Sequence, residues 1–188
     1  SVFEGDDDAP RDDESIALRQ EAFKTAGIAA QVGERIWAYP KKSNWWGPAG
    51  VTGPCGPDTE MYYDTGLPHD GTFGDACHPS CDCGRFIEIW NDVFMQYEKT
   101  ADGKFVPLTQ RNVDTGMGLE RITAVLNGFD NVFETDLFAP ILSVIASEAK
   151  QSHGEIASAS GLAMTEEQLR SARIIADHAR TAMFLIAD

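Results

Sequence analysis

Apolar and polar positions change their period several times along the chain, and each change marks an element. Ser1-Val2-Phe3-Glu4-Gly5 reads as the end of a strand, followed by an acidic turn at Asp6-Asp7-Asp8-Ala9-Pro10. Ile16, Ala22 and Phe23 recur at helical spacing, so a helix is predicted from about Glu14 to Ala26. Asp12 or Asp13 would cap it and Gly27 would follow its end. The acidic run before it reads as a solvated loop and cap rather than a metal site. Residues 41–60 lose all periodicity but are dense in Gly and Pro and hold Trp45 and Trp46, which predicts an ordered loop ahead of a strand at Met61-Tyr62-Tyr63-Asp64.

A second irregular stretch, 65–84, precedes a strand predicted from Arg85 to Glu98. There Ile87, Ile89, Val93 and Met95 alternate with Glu88, Trp90, Asp92 and Phe94. Asp102-Gly103 signals a hairpin, and 104–108 return as its second strand. Past Gly118 the period becomes helical through Leu119, Ile122, Val125 and Leu126, and Asn127-Gly128 ends it. Another helix is predicted near Asp136 to Ser147, and the small polar residues of 147–160 predict a flexible insertion. Thr165 with Gln168 forms a capping box opening a last helix. One stripe of it carries Leu169, Ala172, Ala176, Ala179 and Met183, and another carries Arg170, Arg173 and Arg180. The expected class is α+β: an antiparallel sheet with flanking helices and a C-terminal helical segment.

Composition narrows the setting. With 188 residues, 43% of them hydrophobic, the chain can bury a real core. No run approaches the roughly 20 apolar residues of a membrane span, and the acidic start lacks a signal-peptide pattern. A soluble cytoplasmic protein is the expectation. The net charge is −15, from 30 acidic against 15 basic residues. Such a surface repels a phosphate backbone, so RNA contact would need a local basic patch or further protein.

Three of the four cysteines lie in Cys77-His78-Pro79-Ser80-Cys81-Asp82-Cys83. Thiolate and imidazole suit tetrahedral zinc, so Cys77, Cys81, Cys83 and His78 are candidate ligands for a structural Zn2+. His69 or Cys55 could supply a ligand from outside the cluster. The C-x3-C-x-C spacing is not the usual knuckle, and a loop of reduced, metal-free thiols is an equal alternative.

The most informative string is Asp114-Thr115-Gly116-Met117-Gly118-Leu119-Glu120-Arg121, at a strand–turn–helix junction. Gly116 and Gly118 let backbone approach a flat ligand, and Arg121 offers a fixed charged fork suited to phosphate. Alone, the string reads first as a glycine turn entering a helix whose arginine pairs with a nearby carboxylate. In company it resembles motif 3 of the class II aminoacyl-tRNA synthetases, in the alanyl form, over 113–122. Asn44-Trp45-Trp46, Thr52-Gly53-Pro54-Cys55-Gly56-Pro57 with Thr59-Glu60, and Ile87-Glu88-Ile89-Trp90-Asn91 with Val93-Phe94-Met95-Gln96 are similar to that family in the same order. Ile174 to Arg180 and Phe184 to Asp188 resemble the start of its acceptor-stem-recognition region.

The resemblance implies a partial class II synthetase sheet in 1–130 and the start of the tRNA-recognition helices in 131–188. It implies alanine and ATP as substrates with Mg2+, alanyl-adenylate as intermediate and tRNA(Ala) as acceptor. Asp114 would pair with the substrate ammonium, Trp46 would wall a methyl-sized pocket, and Asn91 and Gly116 would complete the alanine site. Arg121 would face the ATP phosphates, Gly118 the nucleoside, and Glu88 or Glu60 magnesium. In the family, motifs 1 and 2 precede the part matched here, and motif 2 supplies the arginine for the α-phosphate. The isolated chain is therefore expected to be inactive, with weak or no tRNA binding. A non-catalytic paralogue binding alanine, nucleotide or tRNA is the alternative, and an unrelated zinc-stabilised interaction domain a distant third.

Overall fold

The computed structural model describes residues 1–153 and 164–187. The polypeptide divides into two compact units, Ser1–Gly118 and Leu119–Asp188. The boundary falls at the glycine turn, between the strand and the helix of the motif-3-like string. No helix among the described residues is long and apolar enough to cross a membrane.

The first unit is a sheet of six strands: β1 (Val2–Phe3), β2 (Ala38–Tyr39), β3 (Trp45–Trp46), β4 (Gly53–Asp64), β5 (Phe86–Lys99) and β6 (Phe105–Met117). The order is β2-β1-β4-β5-β6, with β3 also paired to β4. All pairings except β1–β2 are antiparallel. Helix α1 (Asp13–Thr25) starts where its cap predicts: Asp12 Oδ1 accepts from the Ser15 N–H at 3.0 Å. Ile16 of α1 buries against Val2 and Ile36, with Phe23 beside them. Arg19, one turn on from Ile16, donates to Asp92 at 2.6 Å and to Thr59 at 2.8 Å. Asp92 also accepts from Thr115 Oγ1 at 3.0 Å. One face of β4, β5 and β6 is thus tied to α1.

Three expectations are corrected. The Gly/Pro-rich stretch is a strand from Gly53 onward, not a loop lasting to Glu60. Prolines lack a ladder N–H, but the register shift between Cys55 and Asp58 absorbs Pro57 without ending the strand. The returning strand β6 runs on to Met117 rather than Leu108. Its later side chains are exposed, so no apolar alternation announced them. Helix α3 (Ala139–His153) takes in 147–153, the first half of the predicted flexible insertion. Ser-Glu-Ala-Lys continues a helix adequately; residues 154–160 lie outside the described residues.

The second unit contains α2 (Leu119–Asn127), α3 and α4 (Glu166–Ala187). Gly128 ends α2 with φ +70°. The predicted capping box opens α4: Thr165 Oγ1 accepts from Gln168 N–H at 3.2 Å, and Gln168 Oε1 from Thr165 N–H at 2.9 Å. Ala146, Ala172 and Ala176 are almost fully buried, as close helix packing requires. Arg180 pairs with Glu120 of α2. The apolar stripe of α4 is buried only in its first half, since Met183 is 70% exposed.

Candidate active site

The site is built on the middle strands, where register sets which side chains share a face. Directly opposed residues of antiparallel strands project to the same side. Glu60, Asn91 and Gly116 form one row across β4, β5 and β6, and Asp58, Val93 and Asp114 form the next. Glu88 opposes Tyr62 across a register shift that brings it onto this side. Thr59, Asp92 and Thr115 fill the row between; on the other face Thr59 and Asp92 accept from Arg19, and Thr115 donates to Asp92. The face carrying Asn91 and Asp114 is therefore the one opposite α1.

Its floor is an acidic, hydrogen-bonded patch. Asp58 is 3% exposed and accepts from Asn44 Nδ2 at 3.0 Å, with Asn91 as a second partner. Burial outweighs these hydrogen bonds, and the charges of Glu60 and Glu88 add to it, so the Asp58 carboxyl is pushed up to about 6. Glu60 accepts from the Tyr62 hydroxyl at 2.5 Å. Burial and then Glu60 hold that hydroxyl protonated well above its usual range. The Oδ1 atoms of Asn44 and Asn91 are buried without a hydrogen-bond partner.

Asp58 yields a pH prediction. An unfolded chain releases this proton near 3.8, the folded chain near 6. Between those values the unfolded state binds fewer protons, so stability falls as pH rises. The gap is worth about 3 kcal/mol, present below about pH 4 and gone above about pH 6. Denaturant unfolding of wild type and Asp58→Asn from pH 4 to 8 should show the difference between them changing by that order. A difference independent of pH would contradict a buried, high-affinity proton at Asp58.

Asp114 is exposed on β6 and accepts from the Thr115 N–H at 3.0 Å. Trp46 is 39% exposed on β3, opposite Gly56, with β4 and β5 lying between it and Asp114 on β6. Core packing falls instead to Trp45, which stacks on Tyr97 at 5.7 Å and meets Phe3 and Phe105 edge-on. Gly118 closes the first unit, and Arg121 lies in the first two turns of α2 in the second. A cleft of about 930 Å³ lies elsewhere, between α1, residues 28–37 and the adjoining ends of β4 and β5. Its lining includes Glu60 and Cys77 but not Trp46, Asn91 or Asp114.

In the 65–85 loop the structure separates the cysteine-cluster residues. The imidazole beside the thiols belongs to His69, whose Nδ1 is 3.8 Å from Cys81 Sγ. His78 is turned to Tyr39, its Nδ1 2.8 Å from the hydroxyl, with its ring beside Trp37. Hydrogen bonding by His69, then by the Arg85 N–H, lowers the Cys83 thiol to about 6. Cys55 is buried on β4 opposite Tyr97, near the end of that strand remote from the loop.

Sequence reasoning named Asn91, Glu60 and Glu88 as ligand contacts but gave Asp58 and Asn44 no role. Asp58 sits among prolines and glycines, where only the strand register reveals that its carboxylate is buried beside the other two.

Residues 2–188 match the family model of class II (A) tRNA synthetases, and the chain belongs to that family. Among curated relatives, it is 46% identical to the alanine–tRNA ligase of Treponema denticola over 188 residues, covering the whole chain and 28% of that protein. It is 45% identical over 193 residues to the alanine–tRNA ligase of Rubrobacter xylanophilus, covering the whole chain and 20% of that protein. The chain thus spans well under a third of the relatives it matches.

Proposed function

We propose that this chain is the part of an alanine–tRNA ligase that carries the amino-acid side of the adenylation site. The observation that carries the reading is the paired row arrangement of Asp58, Asn91 and Asp114 on the sheet face opposite α1. The identity to alanine–tRNA ligases over the full chain supports it.

In this reading Asp114 binds the substrate ammonium, which turns the alanine carboxylate towards the α-phosphate of ATP. Trp46 and Asn91 bound the space left for a methyl group, and Gly116 keeps the β6 backbone open beneath the ligand. No atom lies within 4 Å of where a Cβ at Gly116 would project, so the room is there for substrate. Arg121 and Gly118 serve ATP. The carboxylate oxygens of Glu60 and Glu88 are donors that fit a hard cation such as Mg2+, which would neutralise charge on the phosphates. The protein contributes position and charge rather than covalent chemistry. A methyl-sized site rejects bulk but separates alanine from glycine by only about 1–3 kcal/mol.

Residues 1–130 would belong to the catalytic core and 131–188 to the beginning of tRNA recognition. ATP–pyrophosphate exchange on the full-length enzyme containing this chain tests the proposal. Exchange should require alanine, fall off with serine and glycine, and vanish for larger amino acids. The 188-residue segment alone should not support it. Exchange driven equally by another amino acid would refute the assignment.

A further inference from the structure

The 65–85 loop joins β4 to β5 without strands or an apolar core: Leu67 and Phe73, its largest apolar side chains, are 53% and 52% exposed. Loops of this length inside a compact unit need some other fastening. Its base is tied by Arg85, which grips Asp64 with two bonds of 2.9 Å, and by Thr65, which donates twice to the Arg85 carbonyl. At the far end the polar groups converge on sulfur.

The geometry points to a structural zinc site with His69 Nδ1 and the thiolates of Cys77, Cys81 and Cys83 as its four ligands. The ligand atoms of His69, Cys81 and Cys83 lie within 4.8 Å of one another; Cys77 Sγ stands outside that trio but 3.7 Å from Cys83 Sγ, so it completes the set by a small approach to the other two. Thiolates bound at about 2.3 Å in a tetrahedron stand about 3.8 Å apart, and a thiolate and an imidazole nitrogen about 3.6 Å apart. The observed 3.7 Å, and 3.8 Å for Cys81 to His69, are those edges. A disulfide would need sulfurs near 2.05 Å.

The second nitrogen of His69 identifies it as the ligand. Nε2 is 2.8 Å from the Gly74 carbonyl, to which only an N–H can donate, leaving Nδ1 as the lone-pair nitrogen facing the thiols. A backbone carbonyl on the remote nitrogen is the usual support for a zinc-bound histidine. His78, predicted from its position inside the cluster, is instead engaged with Tyr39. Three thiolates and Zn2+ carry one net negative charge, and Arg85 acts electrostatically on Cys77 and Cys83 to offset it. The site would pin the loop over the ends of the strands that carry Glu60 and Glu88, and it stands or falls independently of the alanine assignment.

Elemental analysis of the purified protein, with Co2+ substitution and titration of accessible thiols, tests it. About one zinc per chain is expected, with the absorption of tetrahedral thiolate-bound cobalt after exchange. His69→Ala and Cys83→Ser should lose the metal, while His78→Ala keeps it. The cobalt spectrum of the unmutated protein holds even if a ligand variant fails to fold. Metal-free protein with reactive thiols, an oxidised Cys77–Cys83 pair, or zinc lost from His78→Ala but kept by His69→Ala would each overturn the site.

Discussion

Replacing Asp114 by Asn in the full-length enzyme is expected to lower kcat/KM for alanine in pyrophosphate exchange by roughly 10²–10³-fold, about 3–4 kcal/mol. The KM for ATP should move little. The cost arises because a substrate ammonium taken from water would meet a neutral amide in place of a carboxylate. Stability should change by less than about 0.5 kcal/mol. Asp114 is exposed, and the bond it accepts from Thr115 N–H can be accepted equally by an Asn oxygen. Circular dichroism and melting of the variant separate the two effects. Unchanged alanine kinetics in a folded variant would remove Asp114 from the site.

The largest structural effect is expected at Gly56. A Cβ built there stands 1.9 Å from the Phe94 carbonyl oxygen, 3.0 Å from its carbon and 3.1 Å from Gln96 N. All three are backbone atoms of β5, so no rotamer change relieves the overlap. Gly56→Ala must separate β4 from β5 where Trp46 of β3 also pairs. A loss of more than about 3 kcal/mol is expected, with a melting temperature lower by roughly 10 °C. Gly116→Ala is the control, since a Cβ there meets nothing within 4 Å. It should leave stability nearly unchanged yet weaken alanine use by occupying space proposed for substrate. Equal melting temperatures for the two variants would contradict the strand register.

The sequence was most legible where one local pattern sufficed. The Asp12 cap, the Thr165–Gln168 box, the Asp102-Gly103 hairpin and the extent of β5 each depend on residues close in the chain, and each is present, although a register shift turns Glu88 out of the predicted alternation. Legibility failed where pairing was non-local. β4 looked like a loop because Pro54, Gly56 and Pro57 are poor strand residues, tolerated only through a register shift against β5. β6 was cut short because its exposed residues carry no apolar signal. The site followed the same rule. Asn91, Asp114 and Gly116 were marked by motif, whereas burial of Asp58 depends on three strands at once. Proximity in sequence favoured His78 for the cysteine cluster; the fold of the loop brings His69 instead.

The central claim is that alanine sits on the sheet face carrying Asn91 and Asp114. It is tested most directly by a crystal structure of the full-length enzyme with a non-hydrolysable alanyl-adenylate analogue. The account predicts the analogue's ammonium within hydrogen-bond reach of the Asp114 carboxylate, its methyl group towards Trp46 and Asn91 beside it. An analogue lying on the α1 face, or in the cleft lined by Phe23 and Trp37, would contradict it.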